Sequence, residues 1–462
     1  MLVGACGAAT GCGGAAHTGS RTTPTPPPPP LSKTTSVPQA SSTTVRRASP
    51  PAPREQDWPT YHQTGSRAGA VATGPPLGRV RRLWSAAVDG AVYAEPLVLG
   101  GRVIVATEND SVYAFDAANG ARSWSVHLAT PVPGGSLPCG NIDPSGITST
   151  PVADPRSGVI YLVSYRTGFR HTLVALDVAT GQVKWERGID PPGGDETTEQ
   201  QRAALALANH RVYVAYGGLF GDCGRYHGWV IGAPASGPTG NLVTYQVPSQ
   251  NEGAIWAPSG PAVDHAGNLF VATGNGSSSS FDYGNAVIRL SPTLQPVSYF
   301  APPNAGALST SDTDLGSTGP ELLPGSRAFI MGKSGVAYLL NAEHLGGLGN
   351  GLASLNLGAA AFGGDAYADG TLYVPTVAGI YALQVGEDTL RVRWRQTATS
   401  GSPIVAGRGL WAMANGNLYQ LDAATGAVRY SVPVGQSAHF ATPTASDGRI
   451  YIAADGRVQA FG

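Results

Sequence analysis

The chain has 462 residues, of which only 13% are charged against ~25% in typical globular domains, and its formal net charge is −1. That balance leaves no basic stripe for nucleic acid and no acidic tail. Beyond the first residues nothing approaches ~18 consecutive apolar positions, so no internal membrane-spanning helix is expected; the 63 glycines and 37 prolines, spread along the chain, point to many tight turns.

Residues 1–18 open with "MLVGACGAATGCGG", small and apolar but without the basic start and apolar core of an ordinary signal peptide. The small residues before Cys6 ("VGAC") and Cys12 ("ATGC") resemble the end of a bacterial lipoprotein signal, in which such a cysteine carries the lipid. That resemblance implies a remnant of a signal that begins upstream of Met1, and an extracytoplasmic protein of the bacterial cell envelope, lipid-tethered or secreted. An Ala/Gly tail without function is the alternative. From residue 19 to 57 the chain is rich in Thr, Ser and Pro, including "TPTPPPPP". Such a segment cannot bury a core and is expected to be a disordered tether, with order beginning near Trp58.

The ordered part, 58–462, reads as a repeat. "RVRRLWSAAV" (Arg79 to Val88) has the pattern of a blade's outermost strand, with Trp84 at an aromatic position. An outer hairpin then appears as "AFDAANGARSW" (Ala114 to Trp124), "ALDVATGQVKW" (Ala175 to Trp185) and "QLDAATGAVRY" (Gln420 to Tyr430). The alternation on either side is strand-like, and Asp and Gly bracket the turn, Asp accepting backbone N–H groups and Gly taking positive φ. Trp84, Trp124, Trp185 and Trp394 are assigned to packing against neighbouring units.

A second marker is a small-residue strand ending in Pro, at Pro96, Pro151, Pro261, Pro320, Pro403 and Pro443, with degenerate copies near Leu205 and Ala366. These predict an all-β fold, an eight-bladed β-propeller of four-stranded antiparallel blades of roughly 50 residues each. Seven blades is the alternative, if one degenerate unit is miscounted. The last unit has three strands before Gly462, so the strand at about 79–88 is expected to supply its fourth and close the ring.

The "AxDxxxGxxxW" hairpins in such a ring resemble the pyrroloquinoline quinone (PQQ)-binding-like, quinoprotein alcohol dehydrogenase-like propeller family. The resemblance covers 58–462 and speaks to fold more than to activity. By resemblance, Asp312 or Asp314 in "STSDTDLGSTGPELL" would be the base of a PQQ-dependent alcohol or sugar dehydrogenase, and Lys333 in "IMGKSGVAYLLN" would contact a quinone oxygen. PQQ with Ca2+ is implied on that ground alone. Against it, Ser311 stands where such enzymes carry Trp, and no Cys-Cys pair or "CxxCH" motif is present. The competing assignment makes Asp312 and Asp314 turn caps and Lys333 a solvated hairpin tip.

Blade strand order puts the first-to-second and third-to-fourth turns on one face, where they are short, and the elaborate loops on the other. Function is expected at the loop-rich face, at the channel mouth. Cys139 and Cys223 fall on that face in adjacent blades and are read as a disulfide, two unpaired thiols being the alternative. Candidate ligand or partner residues there are Asp143, Asp222, Tyr226, His227, Glu252, Trp256, Tyr283 and His439. Trp256, Tyr226 and Tyr283 could form an aromatic wall for a sugar or peptide. Glu95, on a first strand beside the channel, could bind a cation or polar ligand. Packing and hydrogen bonding between blades are the plainer roles for all of these.

"GKSG" at Gly332 to Gly335 lacks the first glycine of a phosphate loop, no "GxSxG" or "HExxH" occurs, and the nine histidines show no metal-ligand spacing. The reading is a monomeric binding or scaffold module, with no metal, no nucleic acid and membrane contact only through the tether. Its partner would be a protein or small ligand at the channel mouth; the alternative is the PQQ-dependent dehydrogenase.

Overall fold

Four antiparallel strands make each blade, and the first strand of each follows one of the marker positions. Those first strands are Leu97–Leu99, Val152–Asp154, Ala206–Ala208, Ala262–Val263, Glu321–Leu323, Ala366–Ala368, Ile404–Ala406 and Thr444–Ser446. A computed structural model describes residues 57–462, which lie within one compact unit, Pro50–Gly462. Eight sheets result, so the seven-bladed alternative falls. Cys6, Cys12 and residues 1–56 lie outside the described residues. The ring closes as expected: Arg82–Ala87 pairs antiparallel with Arg457–Phe461, Ser85 opposite Gln459, in the sheet of Thr444–Ser446.

The repeated hairpin explains how blades dock. In the turns, Asp116 accepts the N–H groups of Ala118 and Asn119, and Asp177 those of Ala179 and Thr180. The following glycine takes φ of +74° at Gly120 and +73° at Gly181 and Gly426. Each lies under the aromatic of the preceding blade. A Cβ would stand 2.6 Å from Trp84 at Gly120, 2.5 Å from Trp124 at Gly181 and 2.6 Å from Trp394 at Gly426. The indole N–H then donates to the carbonyl just after the turn's Asp: Trp84 to Ala117 (3.1 Å), Trp124 to Val178 (3.0 Å) and Trp394 to Ala423 (3.2 Å). The positions in the repeat are therefore two halves of one interblade joint: Asp and Gly shape a seat, and the Trp of the neighbouring blade occupies it.

The centre of the ring holds something the repeat does not announce. Residues 58–71 wind round the inside of the channel, their backbone bonding to first strands in succession. Trp58 exchanges bonds with Val98 (2.7 and 3.1 Å), and the carbonyls of Pro59, Gly65, Ser66, Ala68 and Gly69 accept from Ala153, Val263, Leu322, Tyr367 and Val405 at 2.7–3.0 Å. The third blade is reached by Arg67, whose guanidinium donates to the Leu205 and Pro261 carbonyls (3.2 and 2.8 Å), and the eighth by His62, with Nε2 3.3 Å from Thr442 Oγ1. Trp58 and His62 are 0% exposed, Tyr61 1% and Arg67 2%. Backbone so deep must be paired, and here it is. The contacts fall on the first strands and on residues just upstream of them, so the segment occupies the channel among the inner strands.

Candidate functional site

First strands run from the loop-rich end to the short-turn end, so residues just upstream of them stand at the mouth. There Arg202, Trp256, Phe362, Ser402 and Phe440 line a cavity of about 960 Å³, together with side chains from the loops between second and third strands. Residues 58–71 occupy the channel among the first strands, and the cavity lies on the face the loop lengths singled out. Cys139 and Cys223 are bonded, with Cα atoms 6.1 Å apart, tying two loops of that face across a sequence separation of 84.

Asp312, Asp314 and Lys333 meet in the pocket. Gly332 brings them together: a Cβ there would lie 2.2 Å from the Asp314 carbonyl, and only a glycine lets the strands approach so closely. Lys333 N–H donates to that carbonyl at 2.8 Å. Its ammonium lies 2.7 Å from Asp312 Oδ1 and 2.5 Å from Asp314 Oδ2, and 5.8 Å from the Trp256 ring. Asn275 completes the cluster, its backbone N–H donating to Asp314 Oδ1 (2.7 Å) and its amide to Asp312 Oδ1 (3.0 Å). Lys333 is thus a paired ammonium rather than a solvated hairpin tip. Burial raises the Asp314 carboxyl above its usual range, with Lys333 opposing. Burial alone would lower Lys333, but Asp314 and Asp312 outweigh it and hold the ammonium above its ordinary value.

Of the other candidates, Asp222, Tyr226, Trp256 and His439 line the same cavity. Tyr226 donates to Asp222 Oδ1 at 2.6 Å, and His439 packs edge-on against Phe440 with ring centres 5.7 Å apart. The remaining five lie off it. Asp143 is exposed and receives the Gly134 N–H (2.8 Å), and His227 and Glu252 bridge through their backbones. Tyr283 is not part of an aromatic wall in the cavity: it packs tilted against Phe281 and edge-on against Tyr299, ring centres 5.0 and 5.2 Å away. Glu95 is also corrected. It is 2% exposed, accepts the His62 N–H at 2.8 Å, and is held by the segment inside the channel; burial pushes its carboxyl well above the usual range.

The sequence reading missed Arg202, Asn275, Phe362 and Phe440. Arg202 stands in "EQQRAALALA", where alternation sends Gln200 and Arg202 to the cavity while Gln201 turns inward to the Ala203 and Ala215 carbonyls. That alternation was a usable signal. Phe440 carried none, since it is set by a loop.

An eight-bladed propeller with a cavity on its elaborated face defines the class. The chain belongs to the PQQ-like propeller family whose model is described as outer membrane protein assembly factor BamB, matching residues 65–219 and 378–462. Two relatives carry that description. The Nitrosomonas eutropha protein is 26% identical over 166 residues, 33% of this chain and 36% of its own. The Burkholderia pseudomallei protein is 30% identical over 138 residues, 30% of this chain and 31% of its own. The chain thus spans about a third of the length of these curated relatives. Among solved structures, the quinohemoprotein alcohol dehydrogenase ADHIIG of Pseudomonas putida HK5 is 16% identical with a TM-score of 0.67, covering 88% of this chain and 80% of that one. A europium-containing methanol dehydrogenase gives 15% and 0.68 over 87% and 90%. BamB from Moraxella catarrhalis gives 15% and 0.57 over 83% and 97%. These three likenesses show the fold alone.

Dehydrogenases of that fold raise the question of PQQ and its calcium. The cavity volume and the Trp256 face suit a planar ring. The donors do not suit the calcium: among the described residues no three or more His, Cys, Asp or Glu side chains are grouped to hold a metal. Lys333 itself stands between the two acids as their counter-cation. As arranged, these residues do not fit the calcium–quinone pair.

Proposed function

We propose that the protein is a binding module of the bacterial cell envelope that takes its partner or ligand at the loop-rich mouth of the propeller, without chemistry of its own. The observation that carries this reading is the cavity on the elaborated face, of about 960 Å³, whose lining includes Phe220 and Val377 at 67% and 68% exposure. Exposed apolar groups around a concave site mark binding surfaces. The disulfide fits an oxidising compartment. Lipidation at Cys6 or Cys12 would hold the propeller at a membrane, and the relatives' description as outer membrane protein assembly factors favours a protein partner there.

The second reading is a PQQ-dependent alcohol or sugar dehydrogenase. The convergence of Asp312, Asp314 and Lys333 favours it; their mutual neutralisation and the missing metal donors oppose it. One experiment separates the two. The propeller, freed of its tether, is used to capture envelope proteins, with Trp256→Ala and a short-turn-face variant, Asp447→Asn, in parallel. Capture lost only with Trp256→Ala supports binding at the mouth, and capture indifferent to both variants refutes it. In parallel, PQQ with calcium is added and dye-linked alcohol oxidation followed. Turnover abolished by Asp314→Asn would overturn the binding reading in favour of the enzyme.

A further inference from the structure

Charged groups around the cavity are unequal in what they already hold. Lys333 is shared by two acids, and Asp222 takes the Tyr226 hydroxyl. Arg202 alone among these has no ion pair or hydrogen bond within the described residues. It is half-buried, and its guanidinium carbon lies 4.8 Å from the centre of the Phe440 ring and 5.8 Å from that of Tyr93. The acid that acts on it, Glu108, directs Oε2 to the Gly146 N–H (2.8 Å) and the Thr148 hydroxyl (3.1 Å) instead.

Stacking on aromatic faces fixes a guanidinium while leaving its in-plane N–H groups free, the disposition that receives a carboxylate through two parallel bonds. A half-buried cation with no protein partner among the described residues is free to take one from a ligand. Beside it the cavity is flat-walled and apolar: the Phe440 ring is 5.9 Å from Phe362 and 6.4 Å from Trp256.

We propose that the pocket is a receptor for a carboxylate on a flat apolar body, with Arg202 taking the carboxylate and the Trp256–Phe440–Phe362 wall taking the ring. The inference rests on the binding reading above and gives that site its ligand class. Two sources present this chemistry, a free aromatic acid and the C-terminal carboxylate of a peptide ending in an aromatic residue.

The test is calorimetric titration of the full chain with two matched pairs: indole-3-acetate against indole-3-acetamide, and a tripeptide ending in Phe with free against amidated C-terminus. Whichever acid binds is expected to lose at least ~10-fold in affinity as its amide, and a similar factor in Arg202→Gln, with Arg202→Lys between. The arm that responds names the source. Should Arg202→Gln fail to fold, Phe440→Leu removes the stacking partner instead and is expected to weaken the acid more than the amide. Acid and amide binding alike, an Arg202→Gln protein that binds the acid undiminished, or no binding in either arm would each overturn the assignment. Partner capture that persists in Arg202→Gln would then show that the binding-module reading survives, whereas PQQ-dependent turnover would sink that reading by a separate route.

Discussion

The inner channel and its mouth are built on opposite rules. Within the channel, residues 58–71 spend their backbone groups on the first strands of the blades, and Arg67 is enclosed by carbonyls: Nε and Nη2 donate to Pro261, Nη1 to Tyr61, and Nη2 also to Leu205. At the mouth, Arg202 is held by ring faces and donates to nothing among the described residues. Two arginines of one propeller, one buried and one half-buried, thus have different tasks. One is fully satisfied and ties blades together; the other is positioned and left open. Satisfied buried polar groups speak for stability, whereas a placed but unsatisfied one speaks for a ligand.

The comparison breaks most easily within the channel. Arg67→Met strips the carbonyls of Leu205 and Pro261 of their charged donor, and is expected to cost about 3–5 kcal/mol, read as a lower denaturant midpoint. A loss under ~1 kcal/mol would show that the segment does not brace the ring. The outer joint should come next. Gly181→Val places a branched side chain at positive φ and against Trp124, and should cost about 2–4 kcal/mol.

A pH effect follows from Glu108, in the connection between a second and a third strand on the mouth side. Burial raises its carboxyl to about 7, against the Gly146 and Thr148 hydrogen bonds that pull it down. The folded chain therefore keeps this proton to higher pH than the unfolded chain, whose Glu titrates near ~4.3. Stability contributed by the neutral acid is present below ~4.3 and is lost as pH rises toward about 7. Glu108→Gln should remove that decline, an effect on the order of 2–3 kcal/mol across the window, seen in urea midpoints taken at pH 5 and pH 8. An unchanged slope would mean that Glu108 titrates normally. The smallest stability effect belongs to the rim. Phe220→Ser, at 67% exposure, should shift stability by less than ~0.5 kcal/mol while reducing partner capture. Stability loss without loss of capture would reverse the division between channel and mouth.

Much of the architecture was written in local pattern. The Asp–Gly hairpins with their aromatics, the prolines before first strands and the three-stranded last unit declared eight blades and their closure, because each is a short-range rule repeated along the chain. Loop length then separated the faces, and with them the cysteine pair and the neighbourhood of Asp312, Asp314 and Lys333. Only the tertiary structure showed that residues 58–71 enter the channel, since "DWPTYHQTGSRAGAV" has no periodicity and its bonds run to strands up to hundreds of residues away. It likewise withdrew Glu95 and Tyr283 from the site and put Arg202 there. The reason is physical: a repeating alternation dictates what a segment becomes, but whether a charge is paired or left open depends on which distant groups fill the space beside it, and no local pattern carries that.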